Sequence, residues 1–455
     1  MSSNALHDPS STPLDPLSDH RIHDVIGIGF GPANLALAIA LEEENTGLDA
    51  LFLESSAAHT PWQSGMMLPG SDIQNHPVRD LVSLRNPRSR YSFINFLFEN
   101  GRLLDHLNLP TEFPLRKEYA QYIDWVAGHF ADRVEYGTRV TEVEVVPGAD
   151  GPLHRVTDAR GRQRYARTLV VGTGRTPYIP APFDTVDDPR VCHLTRFLPT
   201  LDALPGTPRR IAVVGGSQSA VELTLDLSHR FPDAQITVWA RSYALREKDT
   251  SPFSEEGYFP QFTAYYHRAS RDAKRTLDAY MRPTNYAAAD GDVLRELYVK
   301  MYEQRLDGDP RIRIRGNRQL TDVQPGPDGV RLAARETVTG ETEEDHADLV
   351  VLATGFRDLG PGERQDRFPR AVAALADRFA YDADGHLRVR ADYLAEPVDA
   401  TVTPPLFLNG LCESTHGIGD AGSFSLLSLR AATLAGALRE PAAPAATGSP
   451  LPLAA

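Results

Sequence analysis

The chain has 455 residues, 41% hydrophobic and 24% charged, with a formal net charge of −14 at pH 7. That length exceeds one ordinary core and allows two or three domains. The acidic balance argues against a nucleic-acid or anionic-membrane partner, since either favours a basic face. No run of about 18 apolar residues marks a membrane span. The first 20 residues are polar and Pro/Ser-rich without an apolar signal core, which reads as a disordered tail on a cytoplasmic protein.

The first informative segment is 24–34, Asp-Val-Ile-Gly-Ile-Gly-Phe-Gly-Pro-Ala-Asn. An apolar run predicts a buried parallel strand. Gly27, Gly29 and Gly31 then let backbone N–H groups approach a pyrophosphate, and an Ala/Leu-rich helix opens with its positive end toward that phosphate. Residues 50–54 form a second short strand ending in Glu54, at the spacing of the acid that bonds a ribose hydroxyl. A long loop at 61–87 follows, and long loops within compact enzymes are usually functional. Helical patterns resume at 91–97 and 116–130, where Tyr119, Ile123, Val126 and Ala127 share one face. Strand-like runs at 140–146 and 168–171 precede a Pro-rich stretch at 176–183.

A second glycine fingerprint opens at 211–222, Ile-Ala-Val-Val-Gly-Gly-Ser-Gln-Ser-Ala-Val-Glu, with its own second strand at 235–239. Two dinucleotides are therefore implied. The apolar run 347–355 is expected to return the chain to the first unit. These segments predict an α/β fold of two nested Rossmann-like dinucleotide-binding domains with a small helical substrate region. The expected divisions are a tail at 1–20, the first part of the first dinucleotide-binding domain at 21–205, the second dinucleotide-binding domain with substrate-region helices at 206–345, the return to the first domain with substrate contacts at 346–439, and a Pro/Ala-rich tail at 440–455. Cys192 and Cys412 form no Cys-x-x-Cys pair, which disfavours a disulfide reductase, and no metal site is expected.

Several motifs recur together in one order: Gly29-Phe-Gly31-Pro-Ala-Asn34, Trp62, Gly65-Met66, Asp-Leu-Val-Ser-Leu-Arg-Asn-Pro at 80–87, Ser92-Phe93, Gln218-Ser219-Ala220, Thr284-Asn285-Tyr286, Ala353-Thr354-Gly355 and Thr415-His416-Gly417. In this order the chain, from His23 to Leu438, resembles the N-hydroxylating flavoprotein monooxygenases, the ornithine and lysine N-hydroxylases of siderophore pathways. The resemblance implies FAD, NADPH, O₂ and a primary amine as reactants, with an oxygen atom transferred from a flavin C4a-hydroperoxide. It also implies a possible homotetramer. Gly27, Gly29, Gly31 and Asn34 are expected at the FAD pyrophosphate and Glu54 at its ribose. Trp62 and Gln74 match positions near the flavin ring, with a plain core role as the alternative for Trp62. Gly215, Gly216, Ser217, Gln218 and Ser219 are expected to cradle NADPH. Arg241 and Arg246 are the candidates for its 2′-phosphate, because an arginine fork suits a phosphate dianion, or else are solvated surface residues. Asn285 resembles a residue at the nicotinamide ribose and the flavin oxygen, and with Gln74 forms the expected catalytic pair.

The substrate contacts depart from the pattern. Where ornithine-specific members carry a Lys that grips the substrate carboxylate, this chain has Arg79, beside His76. Where they carry an Asn at the amino-acid end, it has Glu255. The segment after Thr415-His416-Gly417, which includes Ser425, is about two residues longer than usual. A small amino-acid amine is the expected substrate, with ornithine the nearest pattern. A diamine, or an acidic amino acid such as aspartate oxidised stepwise to a nitro product, stays open. So does a simple pairing of Arg79 with Glu255, and so does a non-oxygenating NADPH flavin oxidoreductase.

Overall fold

The computed structural model describes residues 20–57 and 62–439, so the expected tails, His20 apart, lie outside the described residues. The strand Ile22–Ile28 sits within a parallel sheet, between Ala50–Leu53 on one side and Gln163–Val171 on the other. Val25, Ile26 and Ile28 are all buried, as befits a strand covered on both faces. Val134–Glu135 extends one edge, and Leu406–Leu408 pairs with the far end of Gln163–Val171. The near end of that strand turns instead into an antiparallel meander with Gly151–Asp158 and Val140–Gly148. The fingerprint helix Pro32–Glu43 begins with Pro at its first position, where the missing N–H costs no hydrogen bond. Every residue from Asn34 to Leu41 is buried, because this helix lies between the sheet and the C-terminal helix Leu427–Arg439.

The second sheet is wholly parallel, in the order Ile312–Arg315, Gln235–Trp239, Arg210–Val214, Leu349–Leu352 and Val191–His193. Its faces separate by the two-residue period of a strand. Ile211 and Val213 pack on the helix Gln218–Arg230, while Ala212 faces an antiparallel meander of Arg318–Gly326, Gly329–Glu336 and Thr342–Ala347. This corrects the expected divisions at both ends. Val191–His193 lies in the second sheet although it precedes residue 206. Leu349–Leu352 belongs there as well, and the chain rejoins the first sheet only at Leu406–Leu408. A buried apolar strand carries no mark of which sheet receives it. The helical region is present as Pro260–Arg268, Arg271–Met281 and Gly291–Leu306. No described helix is long and apolar enough to cross a membrane.

The two units are pinned by a buried ion pair. Arg116, first residue of the helix Arg116–Gly128, lies 3.1 Å from Glu222 on the second fingerprint helix, with both side chains under 10% exposed. The same guanidinium donates to Met66 O at 2.8 Å and Asp72 O at 3.0 Å. Removing one partner of such a pair strands a buried charge, whereas replacing both with apolar groups avoids that penalty. Glu222→Ala is therefore expected to destabilise the protein by about 3–5 kcal/mol, with the double variant Arg116→Met/Glu222→Leu recovering most of the loss. Chemical denaturation of both variants checks this; equal losses in the two would refute it.

Candidate active site

A cleft of about 810 Å³ is lined by the first fingerprint, the loop that follows it and the C-terminal segment 409–430, and by Lys248, Glu255, Tyr258 and Asn285 from the part of the chain after the second fingerprint. On its first side the three fingerprint glycines do different things. A Cβ on Gly27 would lie 2.3 Å from the Phe52 ring, so this glycine lets two strands' contents pack. Gly29 has φ +87° and its Cβ would meet Gly172 O at 2.7 Å, so backbone crosses backbone there. A Cβ on Gly31 would meet nothing within 4 Å, because it points into the cleft. Asn34, expected at the pyrophosphate, lies instead beneath the turn. It is fully buried, donates to Gly29 O at 2.7 Å, and accepts from Asn409 at 3.0 Å. Asn409 accepts in turn from Arg430, which is paired with Asp420 at 2.9 Å. Asn34 thus braces the loop rather than lining the cleft.

Glu54 does line the cleft, and its Oε2 accepts from Phe30 N at 2.8 Å, so its carboxylate is already aimed at the turn. Trp62 lines the cleft and packs edge-on to Phe424 and tilted against Tyr119. Gln74 sits at φ +52°, its N–H held by Asp72 at 2.9 Å, and its buried Nε2 has no hydrogen-bond partner among the described residues.

The second fingerprint, 215–219, lies outside the lining of this cleft; there Gly215 has φ +155° and its Cβ would collide with Ala353 O at 2.5 Å. Ser217 caps the helix Gln218–Arg230, and Ser219 stands in its first turn. Gln218 is committed elsewhere. Its N–H goes to Ala288 O, its Oε1 accepts from Asp290 N, and its Nε2 donates to Glu222. Its side chain therefore ties the helix to the segment 288–290, a correction to its expected place in the NADPH cradle. Gly216 packs near Ala240, with the candidate cradle atoms around it. Arg241 and Arg246 are exposed. Two unforeseen arginines join Arg241: burial, together with the charges of Arg241 and Arg282, lowers the pKa of Arg364, which stacks over Tyr178 at 4.4 Å. They escaped notice because they lie far along the chain from both fingerprints.

At the third corner, Arg79 Nη1 lies 3.4 Å from Glu255 Oε2 and donates to Ser425 Oγ at 3.2 Å. The three residues expected from three distant segments are thus brought together at the cleft. His76 is not among them. It is exposed, and its Nδ1 accepts from Val78 N at 3.3 Å to close a turn, which corrects its expected substrate contact. Asn75, Lys248 and Tyr258 line the cleft without having been expected there.

Asn285 lines the cleft, and its neighbour Tyr286 is held by a buried polar cluster. The Tyr286 hydroxyl donates to Glu413 Oε2 at 2.5 Å and accepts from Arg175 at 2.9 Å; Arg175 also bonds Asp358. Burial, and then the charge of Asp358, raise the Glu413 carboxyl to about 8. Glu413 therefore keeps a proton at neutral pH.

The cleft fits a flavin dinucleotide on structural grounds: Gly31 leaves phosphate room at a helix N-terminus, and Gln74 offers an unused amide donor. Comparison with known proteins agrees. The L-lysine 6-monooxygenase/L-ornithine 5-monooxygenase family model matches residues 21–358. The chain is 38% identical over 409 residues to an L-ornithine N(5)-monooxygenase of Burkholderia cepacia, covering 87% of this chain and 90% of that one. It is 35% identical over 430 residues to the Pseudomonas aeruginosa L-ornithine N(5)-monooxygenase, covering 92% and 94%. The ornithine N-hydroxylase of Kutzneria sp. 744, solved with reduced FAD, NADP⁺ and L-ornithine, superposes with a TM-score of 0.85 at 33% identity, over 92% of this chain and 99% of that one.

Gly31→Val is expected to leave the fold intact, because φ there is −74°, yet to weaken FAD binding on the order of tenfold or more by filling the phosphate space. The flavin-to-protein absorbance ratio measures it, and a fully flavinylated variant would count against the assignment. The raised pKa of Glu413 has its own consequence. The stability it contributes is complete below its unfolded value of 4.5 and is lost as pH rises through about 8. Melting temperature followed from pH 5 to about 8.5 should accordingly fall less steeply in Glu413→Gln than in the wild type.

Proposed function

The chain belongs to the L-lysine 6-monooxygenase/L-ornithine 5-monooxygenase family, whose members are NADPH-dependent flavin enzymes using FAD and O₂, and on that premise we propose that it hydroxylates the amine nitrogen of a small amino acid. The observation that carries this reading is the convergence of Arg79, Glu255 and Ser425 on the cleft that also holds Trp62, Gln74 and Asn285. An arginine in this position suits a substrate carboxylate, which it can grip with two parallel hydrogen bonds. The overall change is amine plus O₂, NADPH and a proton to hydroxylamine, NADP⁺ and water. Bound FAD supplies the reduced centre that activates oxygen.

The protein's own residues answer the two demands this chemistry makes. The amine must be uncharged to act as a nucleophile, while a free alkylammonium has a pKa of about 10.4. Our candidate to take that proton is Glu255, the acidic side chain that lines the cleft beside Arg79. Water must also be kept from the reacting centre. Trp62, Phe424 and the buried Tyr119 supply an apolar wall for that purpose. On the coenzyme side, the Arg241, Arg282 and Arg364 group supports NADPH over NADH.

Two outcomes are expected. Arg79→Ala should weaken binding of the true substrate by about 2–5 kcal/mol, read as a raised KM in a hydroxylamine-forming assay. Arg241→Ala should raise KM for NADPH by roughly tenfold, with little change for NADH. A wild type that consumes NADPH and O₂ with every amino acid tried, yet yields hydrogen peroxide and no hydroxylamine, would overturn the proposed function.

A further inference from the structure

The substrate corner of the cleft holds a charged side chain that the pairing of Arg79 with Glu255 does not account for. Lys248 lines the same cleft, with only 14% of its side chain exposed. Its place is fixed by the backbone: Lys248 N donates to Ala289 O at 2.9 Å, and the next residue, Asp249, donates to Pro283 O at 3.1 Å. The strand-like stretch carrying Lys248 is thereby fastened to both flanks of Asn285. The Lys248 ammonium lies 3.8 Å from Asp290, at the outer limit of an ion pair, and Asp290 is not among the cleft-lining residues. Tyr258 lines the cleft as well, its hydroxyl donating to Thr284 O at 3.4 Å.

Of these groups, those that line the cleft are two cations, Arg79 and Lys248, and one anion, Glu255, with Asp290 behind the lysine. Ornithine and lysine present two ammonium groups and one carboxylate, the same layout in sign, so one ammonium would face a cation. An amino acid with two carboxylates and one amine presents the complement. We propose that Lys248 is a second carboxylate anchor, and that the substrate of the proposed N-hydroxylation is a dicarboxylic amino acid with one acid group on Arg79 and the other on Lys248. This rests on the reading of the site as an amino-acid N-hydroxylase and narrows it. In such a complex the amine is the only nitrogen, so it is the atom oxidised. Its proton passes to Glu255, the nitrogen gains a bond to one atom of O₂, the other atom leaves as water, and NADPH supplies the electron pair.

The test is a competition among near-isosteres with the full-length, FAD-loaded enzyme. L-Aspartate, L-asparagine, L-glutamate, L-glutamine and L-ornithine are compared by NADPH-dependent hydroxylamine formation, with the 16-Da mass gain of the product as a second readout. The wild type is expected to favour a dicarboxylic acid over its own amide by on the order of a hundredfold in kcat/KM, because the amide lacks the charge that Lys248 pairs with. Lys248→Ala and Lys248→Met should both collapse that ratio toward one. Lys248→Glu should invert it. Equal use of the acid and its amide by the wild type, or a clear preference for ornithine, overturns the proposal while leaving N-hydroxylation intact. A Lys248→Ala variant that changes KM for NADPH but preserves the acid-to-amide ratio also overturns it, by assigning the lysine to the coenzyme. Absence of hydroxylamine from every amino acid would instead sink the underlying function, and the proposal with it.

Discussion

One buried ion pair sets the geometry on which the cleft depends. Arg116 and Glu222 come from different dinucleotide units, and neither charge is solvated enough to stand alone. The guanidinium also holds the carbonyls of Met66 and Asp72, which belong to the loop presenting Trp62, Gln74 and Arg79. Glu222 in turn accepts from Gln218, whose own oxygen fixes Asp290 N at the start of the helix Gly291–Leu306. The flavin-side loop, the opening of the nicotinamide-side helix and the segment beyond Asn285 are therefore referenced to a single contact. An oxygen-transferring site needs that registration, since a small misplacement of reacting groups is costly and a loose fit admits water.

Within this frame Arg79 stands on a stiff loop. Its N–H donates to His76 O, its carbonyl accepts from Asn75 Nδ2 at 2.9 Å, and the next residue is the fully buried Asp80. Asp80 accepts from the N–H groups of Val82, Ser83 and Phe93, so it ties the loop to the helix Phe93–Glu99. An arginine that lines a cleft is held in one direction when its backbone is locked by groups that touch no ligand. This explains the physical sense of an Asp directly after the arginine, in a stretch where the sequence shows only an uncapped loop.

The fold was legible wherever local chemistry decided the outcome. Apolar runs followed by glycines and an Ala/Leu-rich helix announced both dinucleotide units, and the strand Gln235–Trp239 falls where periodicity placed it. What stayed hidden was decided by partners distant in sequence. Leu349–Leu352 is equally apolar whichever sheet accepts it, and only its pairing with Arg210–Val214 settles the matter. Asn34 and Gln218 stand in the fingerprints but face away from the phosphate positions, because each satisfies backbone groups that would otherwise be buried unpaired. His76 is close to Arg79 in sequence, yet the turn between them sends it to solvent. Glu413 and Lys248 look like ordinary surface charges in the chain, and burial alone changes their meaning. Arg79, Glu255 and Ser425 could be singled out in advance because the first two replace the Lys and Asn of the family pattern and the third lies in a segment about two residues longer than usual.

The adjacency of Val191–His193 and Leu349–Leu352 in the second sheet has a consequence for how this architecture changes over time. The chain comes into the nicotinamide unit and leaves it on neighbouring parallel strands, while the flavin-side sheet is closed afterwards by Leu406–Leu408. A guest whose entry and exit lie within one short strand length of each other can be carried by its host as a cassette. Its outer meander and surface loops are free to drift, lengthen or be exchanged between relatives through two short crossover points. Drift at the Arg116 and Glu222 contact is constrained, because there the cassette must still lock to its host.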